Sequence, residues 1–261
     1  MFLLLNQRLS WAQYDVVNFK HFSYRDGLVQ SPIAAFLQDD QGFIWFGNLK
    51  GLTRYDGYEF KTFNHVPGDN SSISNDRVNT VFIDSEKSIW IATAHGLNHF
   101  NRDLETFESI EILEVKGGRN YISCIGEDQQ KNIWVGTFAG LKKLNKATKK
   151  LEDVLIDSHV GLKEEAIFSL LIDRDNKMWV GSKSGLHKVD PASGNVIPLE
   201  DSFEQSTLMN TSKIVVIRQD LSGDVWFERK LQDCFDTVRL VIILKHMYLL
   251  NHNRIVFHPI G

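Results

Sequence analysis

Asp128-Gln129-Gln130-Lys131-Asn132-Ile133-Trp134-Val135-Gly136-Thr137, followed by Gly140-Leu141, is the stretch that decides the fold. Its landmarks recur along the chain. Tryptophans stand at 45, 90, 134, 179 and 226, spaced by 45, 44, 45 and 47 residues. An aspartate precedes each by six residues: Asp39, Asp84, Asp128, Asp173 and Asp220. Six residues after the first four tryptophans comes Gly51-Leu52, Gly96-Leu97, Gly140-Leu141 or Gly185-Leu186, and eleven after them Asp56, Asn101, Asn145 or Asp190. Twelve before each tryptophan is Ile33, Val78, Ile122, Ile167 or Ile214. Five coordinated columns at one period are the mark of a repeat architecture.

Each column has a physical meaning. The apolar, β-branched run that ends at the aspartate predicts a strand. The aspartate starts a tight turn, because its carboxylate can accept hydrogen bonds from backbone N–H groups two residues on. The next strand, such as Ile89-Trp90-Ile91 or Met178-Trp179-Val180, is apolar on both faces, whereas a sheet with one wet face alternates. Both faces are therefore covered by other sheets. Two residues past the tryptophan the side chain is small (Gly47, Ala92, Gly136, Gly181), which leaves room beside a large ring. Gly-Leu turns the chain into a third strand, glycine taking positive φ at little cost. The Asp/Asn column turns it again into a fourth, such as residues 58–63 or 105–110. The unit is a four-stranded antiparallel meander, and about 45 residues of this content predict an all-β chain of β-propeller blades.

Four complete units are expected, roughly 30–74, 75–118, 119–163 and 164–210, with a fifth begun at 211–227. Residues 18–24 resemble the fourth strand of a preceding unit. The fifth unit starts in register with Ile214, Asp220 and Trp226-Phe227 and then loses it. Its small position is Glu228, and its Gly-Leu position holds Gln232-Asp233. Residues 228–261 read as an off-pattern, irregular tail, such as a truncated or shifted reading frame leaves; an unusual capping segment is the alternative. The apolar run 238–250 contains Arg239, Lys245 and His246, and is too short and too charged for a membrane helix. An incomplete or open ring leaves sheet faces unburied, which promotes self-association or docking of further blades.

These columns resemble the two-component regulator propeller repeat. The leader Phe19-Lys20-His21-Phe22 with Asp26-Gly27-Leu28 resembles the opening of such proteins, and the resemblance runs over roughly residues 18–227. It implies the periplasmic sensor region of a hybrid two-component histidine kinase of the Bacteroidetes type, in which many members sense oligosaccharides released from glycans. Full-length relatives are expected to carry two seven-bladed propellers, an immunoglobulin-like domain, a membrane helix and a kinase core. No phosphoacceptor box or kinase nucleotide motif stands in these 261 residues, so kinase activity is expected only of full-length relatives.

Composition narrows the partners. The net charge of −4 gives no electrostatic case for nucleic acid. The cluster Lys142, Lys143, Lys146, Lys149 and Lys150 reads as a solvated sheet edge. Cys124 and Cys234 belong to no CxxC or Cys/His cluster, and Cys124 reads as a free buried thiol. The apolar residues 1–5 and the small-residue stretch Ser10-Trp11-Ala12-Gln13 look like the back half of a secretory signal in residues 1–13, so export to the periplasm is expected.

No catalytic, cofactor-binding or metal-ligating residue is identified, and no cofactor is expected. The aspartates recur one per repeat in copies of the same turn, so they read as turn formers, and the tryptophans read as core. His95 and His187 flank Gly-Leu turns and read as surface residues. Asp40-Gln41-Gly42-Phe43-Ile44-Trp45 distantly resembles the Asp-box of sialidase propellers, but the arginine cluster and nucleophile of such enzymes are not found. A glycosidase or lyase would need convergent acids or arginines on one mouth. Loops 64–74 and 117–120 are the expected contacts for a ligand or partner, with a plain interaction scaffold as the other reading.

Overall fold

The computed structural model describes residues 21–29, 32–110, 121–154, 162, 165–199 and 213–230, and the backbone of strands at 239–243, 249–251 and 254–256. The first sheet holds β1 (Ile33–Gln38), β2 (Ile44–Asn48), β3 (Gly51–Tyr55) and β4 (Phe60–Phe63). The second holds β5 (Val78–Ile83), β6 (Ile89–Thr93), β7 (Gly96–Asn101) and β8 (Thr106–Ile110). The third holds β9 (Ile122–Glu127), β10 (Ile133–Thr137), β11 (Gly140–Asn145) and β12 (Lys150–Asp153). The fourth holds β13 (Ile167–Ile172), β14 (Met178–Ser182), β15 (Leu186–Val189) and β16 (Val196–Ile197). Each is an antiparallel meander in sequence order. The first strands of successive sheets touch, β1 with β5, β5 with β9, β9 with β13, and β13 with the first strand of a fifth sheet, β17 (Lys213–Gln219). The sheets thus fan out from their first strands, as propeller blades do.

The aspartate column does more than turn the chain. In the first blade, Asp39 Oδ1 accepts from the backbone N–H groups of Gln41 and Phe43, both at 3.0 Å, while Oδ2 accepts from the Trp45 indole Nε1 at 2.9 Å. The indole–carboxylate bond recurs in Trp90–Asp84, Trp134–Asp128, Trp179–Asp173 and Trp226–Asp220, at 2.7–2.8 Å. A buried indole N–H needs a partner, and the turn carboxylate six residues back supplies it. Three residues after each aspartate the backbone enters the left-handed region, at Gly42, Lys87, Lys131, Asn176 and Gly223, with φ from 55° to 92°.

The small column also has a sharper cause than room for the ring. A Cβ on Gly47 would meet Val78 Cγ1 at 2.6 Å; on Gly136, Cys124 Sγ at 2.4 Å and Ile167 Cγ2 at 2.7 Å; on Gly181, Ser169 Oγ at 2.2 Å and Ile214 Cγ2 at 2.9 Å. Val78, Ile167 and Ile214 are the column residues twelve before the next tryptophan. Two sequence columns are thus one contact: the apolar residue of each first strand seats against the small residue of the preceding blade. Strands β6, β10 and β14 are buried at every position, as expected of doubly covered sheets. In the first blade, Ile44 and Phe46 are only half-buried, and Phe36 is 76% exposed where its counterpart Val81 is 8% exposed.

Residues 228–261, off-pattern in sequence, nonetheless contain strands. Strand β18 (Val225–Lys230) runs past Phe227 and pairs on one side with β17 and on the other with β19 (Arg239–Ile243). A two-residue-period backbone ladder does not need the repeat columns, so loss of register in the sequence does not end the sheet. A separate hairpin joins β20 (Leu249–Asn251) and β21 (Arg254–Val256). The fourth strand expected at 18–24 is not seen in its described part: His21–Ser23 is irregular and Tyr24–Asp26 forms a 3-10 turn. Ser23 and Asp26 cap that turn reciprocally, which favours it over an extended strand. Phe22 packs edge-on against Tyr55 and Phe60 of the first blade, with centroids 4.9 and 5.3 Å away. Residues 1–13 and Cys234 lie outside the described residues.

Candidate functional site

One edge of the blades carries the Asp turns and the third-to-fourth-strand turns. The opposite edge carries the Gly-Leu turns and the connections between blades. The Asp edge is nearly the same in every blade, and its carboxylates are committed to indoles and turn amides. Among the described residues no group of three or more His, Cys, Asp or Glu could hold a metal ion.

The Gly-Leu edge is different. In blades two to four a residue of the second-to-third-strand turn donates its N–H to the carbonyl of the residue just before the first strand: Ala94 to Arg77, Phe138 to Tyr121 and Lys183 to Ala166, at 3.0–3.1 Å. The backbone is repeated, but the side chains it presents are not. From blade to blade they are Ala and Arg, then Phe and Tyr, then Lys and Ala. The second residue of the first strand varies too. Asn79 and Ser123 each reach the next blade's backbone, at Ile122 O (2.8 Å) and Ile167 O (2.6 Å), whereas the same position in blade four is Phe168.

These exceptions meet. Arg77 lies over the Tyr121 ring at 5.0 Å; Tyr121 and Phe138 rings are 4.3 Å apart; Phe138 meets Phe168 edge-on at 5.6 Å; and Lys213 Nζ lies 3.6 Å over Phe168. The result is a row of three half-buried rings with a cation over each end, running across four blades beside the innermost strands. Half-buried aromatic rings present flat apolar surface with a wet edge, and the Tyr121 hydroxyl and Arg77 add donors. No repeat column points to this row. The signal that could have found it is the opposite one, bulky or charged residues where the other repeats are small.

The contact residues expected from the sequence fare unevenly. Loop 64–74 bonds mostly to itself and its neighbours: Val66 N to Ser72 Oγ (3.0 Å), Ser71 to Asp69, and His65 N to Asp76 Oδ1 (2.7 Å). Its Ile73 is fully buried in the seam between the first two blades. Loop 117–120 lies outside the described residues. His95 is exposed, as expected, but His187 is not a free surface residue. Its Nε2 is 3.2 Å from Ser182 Oγ and 3.4 Å from Ser184 Oγ, Ser184 donates to Glu165 at 2.7 Å, and burial pushes the imidazole pKa below its ordinary value. The physical reason is its column. The residue after Gly-Leu is Thr53, Asn98, Lys142 or His187, and it faces inward to polar neighbours. Thr53 meets Thr62 (3.1 Å), Asn98 meets Ser109 (3.0 Å) and Lys142 pairs with Asp153. Lys142 is accordingly buried and not part of a solvated edge. Cys124 is a free thiol whose pKa burial pushes up to about 11.

A groove of about 260 Å³ lies between blades two and three near the Asp edge. His99 covers Trp90 there with centroids 4.7 Å apart, while Glu86 pairs with Lys131 and Lys146, and Glu108 with Lys149. Its charges neutralise one another.

The architecture is that of a β-propeller repeat protein, and the family model described as two component regulator propeller matches residues 116–139 and 161–184. Histidine kinase P4 of Formosa agariphila is 41% identical over 63 residues, which are 24% of this chain and 5% of the kinase. The extracellular domain of a hybrid two component system from B. thetaiotaomicron superposes with a TM-score of 0.65 at 22% identity, covering 93% of this chain and 36% of that domain. Virginiamycin B lyase from Staphylococcus aureus superposes at 0.57 and 11–12% identity, over 77% of this chain and 67% of the lyase. At such identities the superpositions establish a shared fold. Among the described residues no helix is long and apolar enough to cross a membrane.

Proposed function

We propose that this chain is the ligand-binding propeller region of an extracytoplasmic sensor of the hybrid two-component type, and that it takes a glycan fragment on its Gly-Leu edge. The observation that carries the reading is the ring row Tyr121–Phe138–Phe168 beside the innermost strands. Flat apolar faces with polar rims suit sugar rings, which are apolar on their C–H faces and polar around the edge. Support also comes from the family of the repeats and from relatives named as a histidine kinase and as the extracellular part of a hybrid two component system. In this reading the kinase output belongs to parts of a longer protein, the location is periplasmic, and the propeller binds without catalysis. The lyase likeness is one of fold, and the repeated carboxylates, tied to indoles and turn amides, favour a scaffold role for those residues.

Calorimetric titration of the chain with a panel of tri- to hexasaccharides tests this. Binding by some member, abolished in a Tyr121→Ala/Phe168→Ala variant that still unfolds cooperatively, is the expected result. Uniform silence of the well-folded parent protein would instead favour an interaction scaffold. That second reading has its own observation, the exposed Ile33 and Phe36 on the outer face of the first blade, a surface suited to further blades or a second copy.

A further inference from the structure

We infer that the outer face of the first blade pairs with the same face of a second copy of this chain, in an isologous dimer. Such pairing does not involve the ring row and stands or falls apart from the glycan reading. The first blade departs from the others on this face. Ile33 is 46% exposed, whereas its column counterparts Val78, Ile122, Ile167 and Ile214 are at 0%. Strand register shows what surrounds it. Phe36, Phe46 and Thr53 stand side by side in one row, and Gln38, Ile44 and Tyr55 in the next. These rows look away from blade two, because the alternate residues Ala35, Leu37 and Trp45 pack in the core between the first two blades.

No outward position on β1 to β4 holds a charged residue, although 24% of the chain is charged. A sheet with one wet face turns polar residues outward. This sheet turns apolar ones outward as well, and an apolar patch of that kind marks an interaction surface. Its outer strands are already covered: Phe22 packs on Tyr55 and Phe60, and a Cβ on Gly27 would lie 3.6 Å from Phe60. The inner half, on β1 and β2, is what stays open around Ile33 and Phe36.

The occupant follows from what fits. A copy could approach with its fifth blade, as one blade follows another in the fan. That blade, however, holds Glu228 where the seat for an isoleucine is Gly or Ala in blades one to four. In the first, third and fourth blades even a Cβ at this position would come within 2.9 Å of the seated residue, so Glu228 closes the seat. The first-blade face meets no such obstacle in itself. It is uncharged, so two copies bring no like charges together, and sheets pack face to face with nearly aligned strands.

Sedimentation equilibrium of the full 261-residue chain tests this, over loading concentrations from about 1 µM to 1 mM. The expected result is a monomer–dimer equilibrium that stops at the dimer. Phe36→Glu should raise the dissociation constant by about thirtyfold or more, as loss of a central interface aromatic does. Unfolding of that variant should remain cooperative, because the Phe36 side chain is exposed. Phe36→Leu should keep most of the association, and Leu221→Glu, on an exposed turn of the fifth blade, should leave it unchanged. A monomer at every concentration overturns the inference, and so does a dimer indifferent to Phe36→Glu. Assemblies that keep growing past the dimer would mean head-to-tail contact and overturn it too.

Discussion

The two edges of these blades obey opposite rules. On the Asp edge the same carboxylate holds the same indole five times, within 2.7–2.9 Å, and the same residue of the turn sits at positive φ in all five. On the Gly-Leu edge the backbone bonds are repeated, at 3.0–3.1 Å, but the side chains they carry are Arg and Ala, Tyr and Phe, Ala and Lys. Uniformity marks what every blade needs in order to pack. Divergence on a uniform frame marks what the molecule needs only once, and recognition is of that kind. Four experiments would break or sharpen the contrast.

The largest effect belongs to the repeated edge. Trp134→Ala should cost about 3–5 kcal/mol by loss of a buried aromatic side chain, and it also removes one donor from the Asp128 carboxylate, which keeps its bonds from Asn132. The shift of the denaturant midpoint reads the loss. A mouth substitution such as Tyr121→Ala should cost less, because that ring is half-buried.

Next come the seams. Gly136→Ala forces a methyl against Cys124 Sγ and Ile167 Cγ2, and should cost about 1–3 kcal/mol by overpacking. Ala92, at the same position one blade earlier, should tolerate glycine with a far smaller loss, since there the seam has room for a Cβ. Equal sensitivity at both positions, measured by thermal melting, would sink the seam account.

Lys87 sits at φ 69° in the turn where the first and fifth blades use glycine. Lys87→Gly should therefore stabilise the chain, by about 0.5 kcal/mol, because strain in the left-handed region outweighs the added freedom of the unfolded chain. A loss of stability would contradict the reading of that column as conformational.

The smallest effect shows only in acid. Asp220 is held at about 2, below its ordinary 3.8, by the Ser222 hydroxyl first and then by the Trp226 indole and turn amides. Because the folded pKa lies below the unfolded one, the stabilisation is complete above about pH 4 and drains away as pH falls from 3.8 toward 2. Carboxyl NMR should find this low titration, and Ser222→Ala should raise it toward the usual range.

Much of this was legible in the chain itself. The columns at Asp39, Trp45, Gly51 and Asp56 and their copies name the strands, the turns and the order of the sheets, because local turn chemistry and two-face burial leave marks at fixed spacing. Their partners were less legible. That the isoleucine column fits against the glycine column of the preceding blade is a contact between residues about 30 positions apart, as Gly47 and Val78 are, and spacing alone does not reveal it. The position after Gly-Leu misled for the same reason. Lys142 and His187 look like solvent-facing residues in sequence, yet the adjoining polar side chains admit them to the interior. The ring row was hidden because periodicity averages away what occurs once.

The central claim is that the repeated edge is scaffold and the divergent edge receives ligand. Hydrogen exchange of the chain with and without a bound oligosaccharide tests it most directly. The prediction is slow exchange in β6, β10 and β14 in both states, with new protection confined to the segments around Arg77, Tyr121, Phe138 and Phe168. New protection at the Asp turns, with none on the Gly-Leu edge, would contradict it.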